Sequence, residues 1–295
     1  MRFGVCIPHY GSLLDGPAVR DIVQTAEGLG YDAVWATDHI VCPADADLIY
    51  RDDMLECLAV LTYAVAVSQR VKVGTSVLIL PYRNPLVVAK EVATADLLSG
   101  GRVIFGAAVG WLEGEFAALG APFHERGRYS DEALRIIKEL WTSEKPSFQG
   151  RYYNFSDLAF SPRPLQRPHP PIWIGGISEA AMRRAVAFGD AWHVTRTAPE
   201  QAQELATRLR QVSAEMGRER PPALTVRVTV GLDGAGGASL VQGAPEQVAA
   251  AMRRYARAGV TDVALSFDAA GAAETIRAMQ RFAREVAPQL QAGTT

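Results

Sequence analysis

The sequence predicts an α/β fold: a closed (β/α)8 TIM barrel with insertions at the C-terminal face of its strands, over residues 1–295 as one domain. Three observations lead there. Short apolar runs alternate with longer amphipathic ones along the chain, the pattern of parallel strands joined by crossover helices. Eight such units follow one another with no linker between them, which suits closure rather than an open doubly wound sheet. The length of 295 residues fits a barrel of about 250 residues carrying enlarged loops.

Residues 3–8 read as the first strand. Pro17 opens a helix with Val19, Ile22, Val23, Ala26 and Leu29 at helical spacing, and Gly30 ends it. Residues 32–37 form the second strand and 54–68 a mostly apolar helix. Residues 71–78, rich in β-branched side chains, form the third strand. Pro85 opens a helix that stops at Gly100-Gly101, and residues 102–108 form the fourth strand. A short helix at 113–119 precedes a long one at 127–141, with Leu134, Ile137 and Trp141 along one face. Residues 148–171, rich in aromatic residues and proline, read as an extended excursion or hairpin over the rim. The remaining strands are 172–174, 191–195, 224–230 and 262–267. Helices at 178–188, 199–216, from Pro245, and through Ile276, Met279, Ala283 and Val286 alternate with them. The glycine-rich stretch 231–243 reads as a loop.

Hydrophobic residues make up 48% and charged residues 21%, the composition of a globular chain. Lys and Arg number 30 and Asp and Glu 32, a net charge of −2, which argues against a dedicated nucleic-acid binder. No apolar run approaches the length of about 20 residues that a membrane span needs. The N-terminus enters a strand pattern directly and shows no secretory signal. Cys6, Cys42 and Cys57 form no CxxC pair. The expectation is a reduced, cytoplasmic protein without a disulfide framework.

Barrel enzymes build their sites where strands end at the C-terminal face. That rule selects His9 and Tyr10, Asp38 and His39, Ser76, Val77 and Tyr82, Gly110, Trp111 and Glu113, the turn Gly175-Gly176-Ile177-Ser178, and His193. Glycines after a strand let backbone approach a ligand, and the following helix start attracts anions. The same turn also serves as a plain connection. His39 suits proton transfer near neutral pH, or is a structural histidine. Asp38, adjacent to it, is better placed to cap the next turn than to form a dyad. His9, His39 and His193 at three strand ends make a metal site conceivable, but no HxH or HExxH accompanies them. A GxSxG nucleophile elbow is absent. Trp35, Trp111, Trp173 and Tyr82 read as core or rim packing before cofactor contacts.

Six stretches, in order, resemble the bacterial luciferase-like oxidoreductase family. They are FGVCIP (3–8), LGYDAVWATDH (29–39), VGTSVLILPYRNP (73–85), LSGGRVIFGAAVGW (98–111), RPHPPIWIGG (167–176) and QGAPEQV (242–248). The likeness is strongest to the coenzyme F420-dependent branch. It implies a barrel holding a deazaflavin or flavin at the strand C-termini. Ser76-Val77 would form a bulge with a non-prolyl cis peptide that backs the ring, leaving the other face for substrate and hydride. His39 would assist proton transfer. Asp38, Gly110 and Trp111 would lie beside the ring, and Gly175, Gly176 and Ser178 would grip the phosphate. Glu113 is only approximately placed for the acidic proton donor of some members and is not assigned. His9, Tyr50, Tyr82 and His193 are left as substrate-pocket walls.

The leading expectation is an F420-dependent oxidoreductase acting on a small molecule. The alternative is an FMN-dependent monooxygenase using reduced flavin and oxygen. In either case a separate reductase supplies the reduced cofactor. A non-catalytic flavin-binding barrel and a metal-dependent hydrolase are the other classes considered. Members of the family are often homodimers, and a net charge near zero is compatible with that.

Overall fold

The computed structural model describes residues 1–11, 16–43, 53–232 and 240–291. Its centre is a barrel of eight parallel strands: β1 (Arg2–Cys6), β2 (Ala33–Ala36), β3 (Lys72–Thr75), β4 (Val103–Ala108), β5 (Ile172–Gly175), β6 (Ala191–Thr195), β7 (Ala223–Leu232) and β8 (Val260–Phe267). They pair in chain order, and β8 returns to β1, so the barrel ring has no open edge. The helices on its outside are α1 (Gly16–Gly28), α2 (Cys57–Val67), α3 (Pro85–Ser99), α4 (Glu113–Ala118), α5 (Arg126–Thr142), α6 (Glu179–Phe188), α7 (Pro199–Glu215), α8 (Pro245–Arg257) and α9 (Ala272–Arg281). Among the described residues no helix is long and apolar enough to cross a membrane.

Period-two alternation along the strands builds two cores at once. Val34, Phe105, Ile172, Ile174, Trp192, Val263 and Leu265 face outward and join the helices in one large apolar layer. Their alternates Trp35, Ile104, Trp173, Ala191 and Ala264 fill the barrel with Cys6 and Ala33. Trp35 and Trp173 are the largest of these and lie against each other, ring centroids 4.6 Å apart. Two glycines make room for Trp35. A Cβ at Gly4 would come within 2.3 Å of Trp35 Nε1, and one at Gly74 within 2.4 Å of Cζ3.

Local chemistry sets the helix ends. Asn84 accepts from the Leu86 N–H at 2.9 Å and Pro85 takes the first position of α3. Gly100, at φ 70°, ends that helix. The tetrapeptide Ala-Pro-Glu-Gln opens both α7 and α8. In each, the glutamine (Gln201, Gln247) turns back to accept the N–H of the alanine (Ala198, Ala244) before the helix.

The bounds read from the residue pattern and the observed ones differ chiefly in three places, while the 148–171 excursion holds the expected hairpin. The third strand is interrupted after Thr75, and pairing resumes only at Leu78–Ile79. Helix α2 starts at Cys57, because Met54 bridges to Tyr10 and Glu56 caps the helix by accepting the Ala59 N–H. Gly231 belongs to β7, and Val241–Gly243 forms a further short strand beside it. Residues 233–239 of that predicted loop lie outside the described residues. In the 148–171 excursion, Phe148–Gln149 and Asn154–Phe155 pair as a hairpin. Its turn is held by buried Glu132, whose carboxylate accepts the N–H groups of Arg151, Tyr152 and Tyr153 at 2.7–2.8 Å.

Gly74→Ala should overpack the barrel interior against Trp35 and lower stability by about 1–3 kcal/mol. Gly28→Ala, at a helix end with open space around it, should change stability by less than about 0.5 kcal/mol. Urea unfolding of both variants checks the contrast, and equal effects would show that Trp35 is not close-packed.

Candidate active site

A ledge forms where β3 breaks. Gly74 pairs with Ile104 of β4, and the next pair is Leu78 with Ala107. Residues 75–77 therefore stand opposite only Phe105 and Gly106, a bulge of one residue. The Ser76-Val77 peptide within it is cis. Thr75 Oγ1 donates to the Gly106 carbonyl at 2.6 Å and accepts its N–H at 3.0 Å. A Cβ at Gly106 would stand 1.9 Å from the Thr75 carbonyl oxygen, so this close approach requires glycine. Ser76 N–H donates to the Ala36 carbonyl at 2.7 Å, and Arg227 Nη1 donates to the Ser76 carbonyl at 3.0 Å. Val77 rests on Gly175, where a Cβ would meet it at 2.8 Å.

Behind the ledge, Asp38 takes the Arg83 guanidinium in a fork, at 2.6 and 2.8 Å, and accepts the Ile79 N–H at 2.8 Å. Burial works against the Arg83 charge, but the hydrogen bonds of Asp38 and Glu56 outweigh it and hold Arg83 above the ordinary arginine value. The carboxylate of Asp38 thus anchors the chain just past the bulge.

One wall of the mouth is organised by Glu115 on α4, fully buried. Its Oε2 meets His39 Nδ1 at 2.6 Å and the Tyr82 hydroxyl at 2.9 Å, while Oε1 accepts the N–H groups of Ile40 at 2.6 Å and Val41 at 3.3 Å. Burial alone would raise this carboxyl. The hydrogen bonds from His39 and Ile40, then His39's charge and Tyr82, more than offset it and keep Glu115 below the usual carboxylate range. Burial, then the Glu115 charge, pushes the Tyr82 phenol well up, so it stays a donor. An acceptor-only carboxylate at Nδ1 makes that nitrogen the N–H of His39. Trp111, 55% exposed, stands edge-on to the imidazole at 6.2 Å between centroids.

The neighbouring stretch of rim is the turn after β5. Gly176 has φ 119°, a conformation that side chains disfavour, and a Cβ there would meet Ala181 at 2.9 Å. Its carbonyl accepts Trp192 Nε1–H at 2.7 Å. Ser178 caps α6 by accepting the Ala181 N–H at 3.2 Å. Glu179, in the first turn, pairs with Arg183 and Arg208 on the helix exterior. The helix start therefore keeps an N–H-rich surface beside the mouth.

The structure brings Asp38, His39, Ser76, Val77, Gly175 and Tyr82 into one connected cluster. Gly110, at φ 77°, packs its backbone on Ile79 and Phe116. Two expected pocket walls are enclosed instead. His9 is completely buried; its Nε2 accepts the Thr37 N–H at 2.9 Å, which ties β1 to β2. His193 lies mid-strand in β6, inside the barrel, and supports Ser76 from below. Asp38 likewise braces the bulge and does not present its carboxylate to the mouth. Tyr50 lies outside the described residues. Glu115, Arg83 and Arg227 were missed by sequence reasoning. The nearest signal was the acidic pair Glu113 and Glu115 at the start of α4, of which the exposed Glu113 was the one weighed.

The model of the family described as luciferase-like monooxygenase matches residues 1–234. The chain belongs to this family. An FMNH2-dependent dimethylsulfone monooxygenase of Pseudomonas putida is 35% identical over 179 residues, 60% of this chain and 47% of that protein. An F420-dependent glucose-6-phosphate dehydrogenase of Amycolatopsis mediterranei is 36% identical over 186 residues, 60% of this chain and 53% of that protein. The chain thus spans about half the length of these relatives. Among solved structures, an F420-dependent secondary alcohol dehydrogenase in complex with an F420–acetone adduct superposes with a TM-score of 0.83 at 18% identity, covering 98% of both chains. That likeness is one of fold. The family members it resembles include proteins named for F420 and for FMNH2 dependence.

Burial pushes His9 down to about 4 and His193 down to about 3. An unfolded histidine titrates near 6.5, so the unfolded chain takes up protons that the fold refuses, and stability falls as pH drops below about 6.5. Each histidine contributes about 1.4 kcal/mol per pH unit until its folded value is reached. His193→Gln should flatten the stability profile between about pH 6 and pH 4.5 by that amount per unit. Urea unfolding across this range checks it, and an unaltered slope would contradict burial in the neutral form.

Proposed function

We propose that the chain is an F420-dependent oxidoreductase that moves a hydride to or from a small organic substrate at the C-terminal mouth of the barrel. The observation that carries this reading is the His39–Glu115 pair: an imidazole held by a buried carboxylate, beside an exposed tryptophan and next to the bulged ledge. Hydride transfer at an alcohol or carbonyl carbon is accompanied by a proton transfer at oxygen, and an oriented histidine is suited to that. With Nδ1–H committed to Glu115, Nε2 is the nitrogen that takes or returns the proton.

The mouth fits a ring with an anionic tail. Val77 packed on Gly175 gives an apolar back wall, and the exposed Trp111 beside His39 offers an aromatic ring at the mouth. The turn at 175–178 joins a glycine of positive φ to the start of α6, a combination that accepts phosphate oxygens. A deazaflavin, when bound, supplies hydride chemistry at a ring carbon and reacts poorly with oxygen. Around it, Ser76 and Val77 would back the ring, Gly175, Gly176 and Ser178 would hold the tail, and Tyr82 would keep Glu115 in place.

The match to an FMNH2-dependent relative favours a second reading, a monooxygenase that receives reduced FMN from a separate reductase. The reading as a single domain over residues 1–295, and assembly as a homodimer, belong to the same proposal.

Titration of the apoprotein with F420 and with FMN, followed by fluorescence, separates the readings. Micromolar F420 binding with much weaker FMN binding is expected, and the reverse order would establish the monooxygenase reading. Gly176→Asp, which places a carboxylate against the tail, should weaken cofactor binding by about tenfold or more. Unchanged affinity would move the phosphate site elsewhere. His39→Ala should lower turnover by about 10²–10⁴-fold and change cofactor affinity far less; unchanged turnover would remove His39 from the mechanism.

A further inference from the structure

His193 is placed so that it can act on the mouth without touching it. Its ring is enclosed in the barrel interior, with Trp35 and Trp173 centroids at 6.0 and 5.4 Å. Nε2 lies 2.9 Å from Ser76 Oγ and Nδ1 lies 2.8 Å from Thr225 Oγ1. Each contact joins a group that can donate or accept, so the direction of the chain has to be found at its end. Among the described residues Thr225 Oγ1 has one other partner, the Trp192 carbonyl at 3.4 Å. A carbonyl oxygen only accepts. Thr225 therefore donates to Trp192 and accepts from His193 Nδ1–H. In a neutral imidazole the other nitrogen is then the acceptor, so Ser76 donates its hydroxyl proton downward to Nε2. Burial, then the charge of Arg227, keeps the ring neutral and denies it a second N–H.

The main chain of Ser76 is committed as well: its N–H to Ala36 and its carbonyl to Arg227. What Ser76 retains for a ligand is the lone-pair side of Oγ.

We propose that His193 is a positioning residue that fixes the polarity of the Ser76 hydroxyl, turning this oxygen into a hydrogen-bond acceptor toward the barrel mouth. The corresponding ligand chemistry is an N–H or O–H donor on the edge of the bound ring or substrate. A carbonyl or carboxylate oxygen at the same point would meet lone pairs and be disfavoured. The ligand part of this inference rests on the reading of the mouth as the cofactor site, whereas the polarity of the Ser76–His193–Thr225 chain does not.

Two measurements test it. The first needs no ligand: a proton-coupled 15N spectrum of the wild-type imidazoles at pH 7. It should show His193 protonated at Nδ1 and bare at Nε2. A proton on Nε2 would overturn the proposal outright.

The second is a double-mutant cycle read by fluorescence titration with FMN and F420. His193→Phe keeps the ring volume but removes the acceptor, and should weaken binding of the preferred cofactor by about fivefold to tenfold, the worth of one hydrogen bond. In a Ser76→Ala background the same change should cost less than about twofold, because its effect passes through Ser76. His193→Gln, whose amide can accept from Ser76 and donate to Thr225, should restore most of the affinity. Additive effects, or a loss in His193→Gln equal to that in His193→Phe, would show that the histidine acts only as packing. If the wild type bound neither cofactor, the proposed function would fall, and the 15N result alone would decide the polarity.

Discussion

The mouth depends on one buried charge. Glu115 takes hydrogen bonds from an imidazole, a phenol and two backbone N–H groups, so four groups from two different loops converge on a single carboxylate. A carboxylate without such partners would not stay ionised in that position. Removing it would take the carboxylate away from His39 Nδ1 and from the N–H groups of Ile40 and Val41. Both the direction of the His39 ring and the path of the chain after β2 therefore follow from a side chain that comes from the β4–α5 connection.

The same logic runs through the ledge. A bulge loses ladder hydrogen bonds, and groups around it have found other partners: Thr75 with Gly106, Ser76 with Ala36, Arg227 and His193, and Ile79 with Asp38. These partners come from β2, β4, β6 and β7. The shape at Ser76–Val77 is thus a property of the closed barrel, not of the segment itself. It sits on an interior formed by Trp35 and Trp173, where Gly4 and Gly74 make room for Trp35. A site that must hold a planar ring gains from a floor that cannot relax.

Much of this was legible from residues alone. The alternation of apolar runs with amphipathic helices gave the barrel, and the strand-end rule picked His39, Ser76 and the 175–178 turn because strands end there. In the residue pattern alone the break in β3 was hidden, although the resemblance to the family placed a bulge with a cis peptide at Ser76-Val77, where the structure has it. Thr75 to Leu78 is a run of good strand formers, and what interrupts it is the absent side chain of Gly106 on the neighbouring strand. Glu115 was hidden for a similar reason. Two glutamates open α4, and only the packing of that helix decides which turns inward. The sequence reading puts His193 at the rim although its strand spans 191–195 there too; His193 stands two residues before the strand's end with its side chain inward, which leaves the imidazole one layer down among the tryptophans.

The proposed function requires a redox ring on the Ser76–Val77 ledge with His39 at its reactive edge. A crystal structure of the protein with F420 bound tests this most directly. The account predicts the ring flat against Val77, its phosphate at Gly176 and Ser178, and His39 Nε2 within hydrogen-bonding reach of a substrate atom over the ring. A ring bound outside the barrel mouth, or a tail directed away from the start of α6, would contradict it.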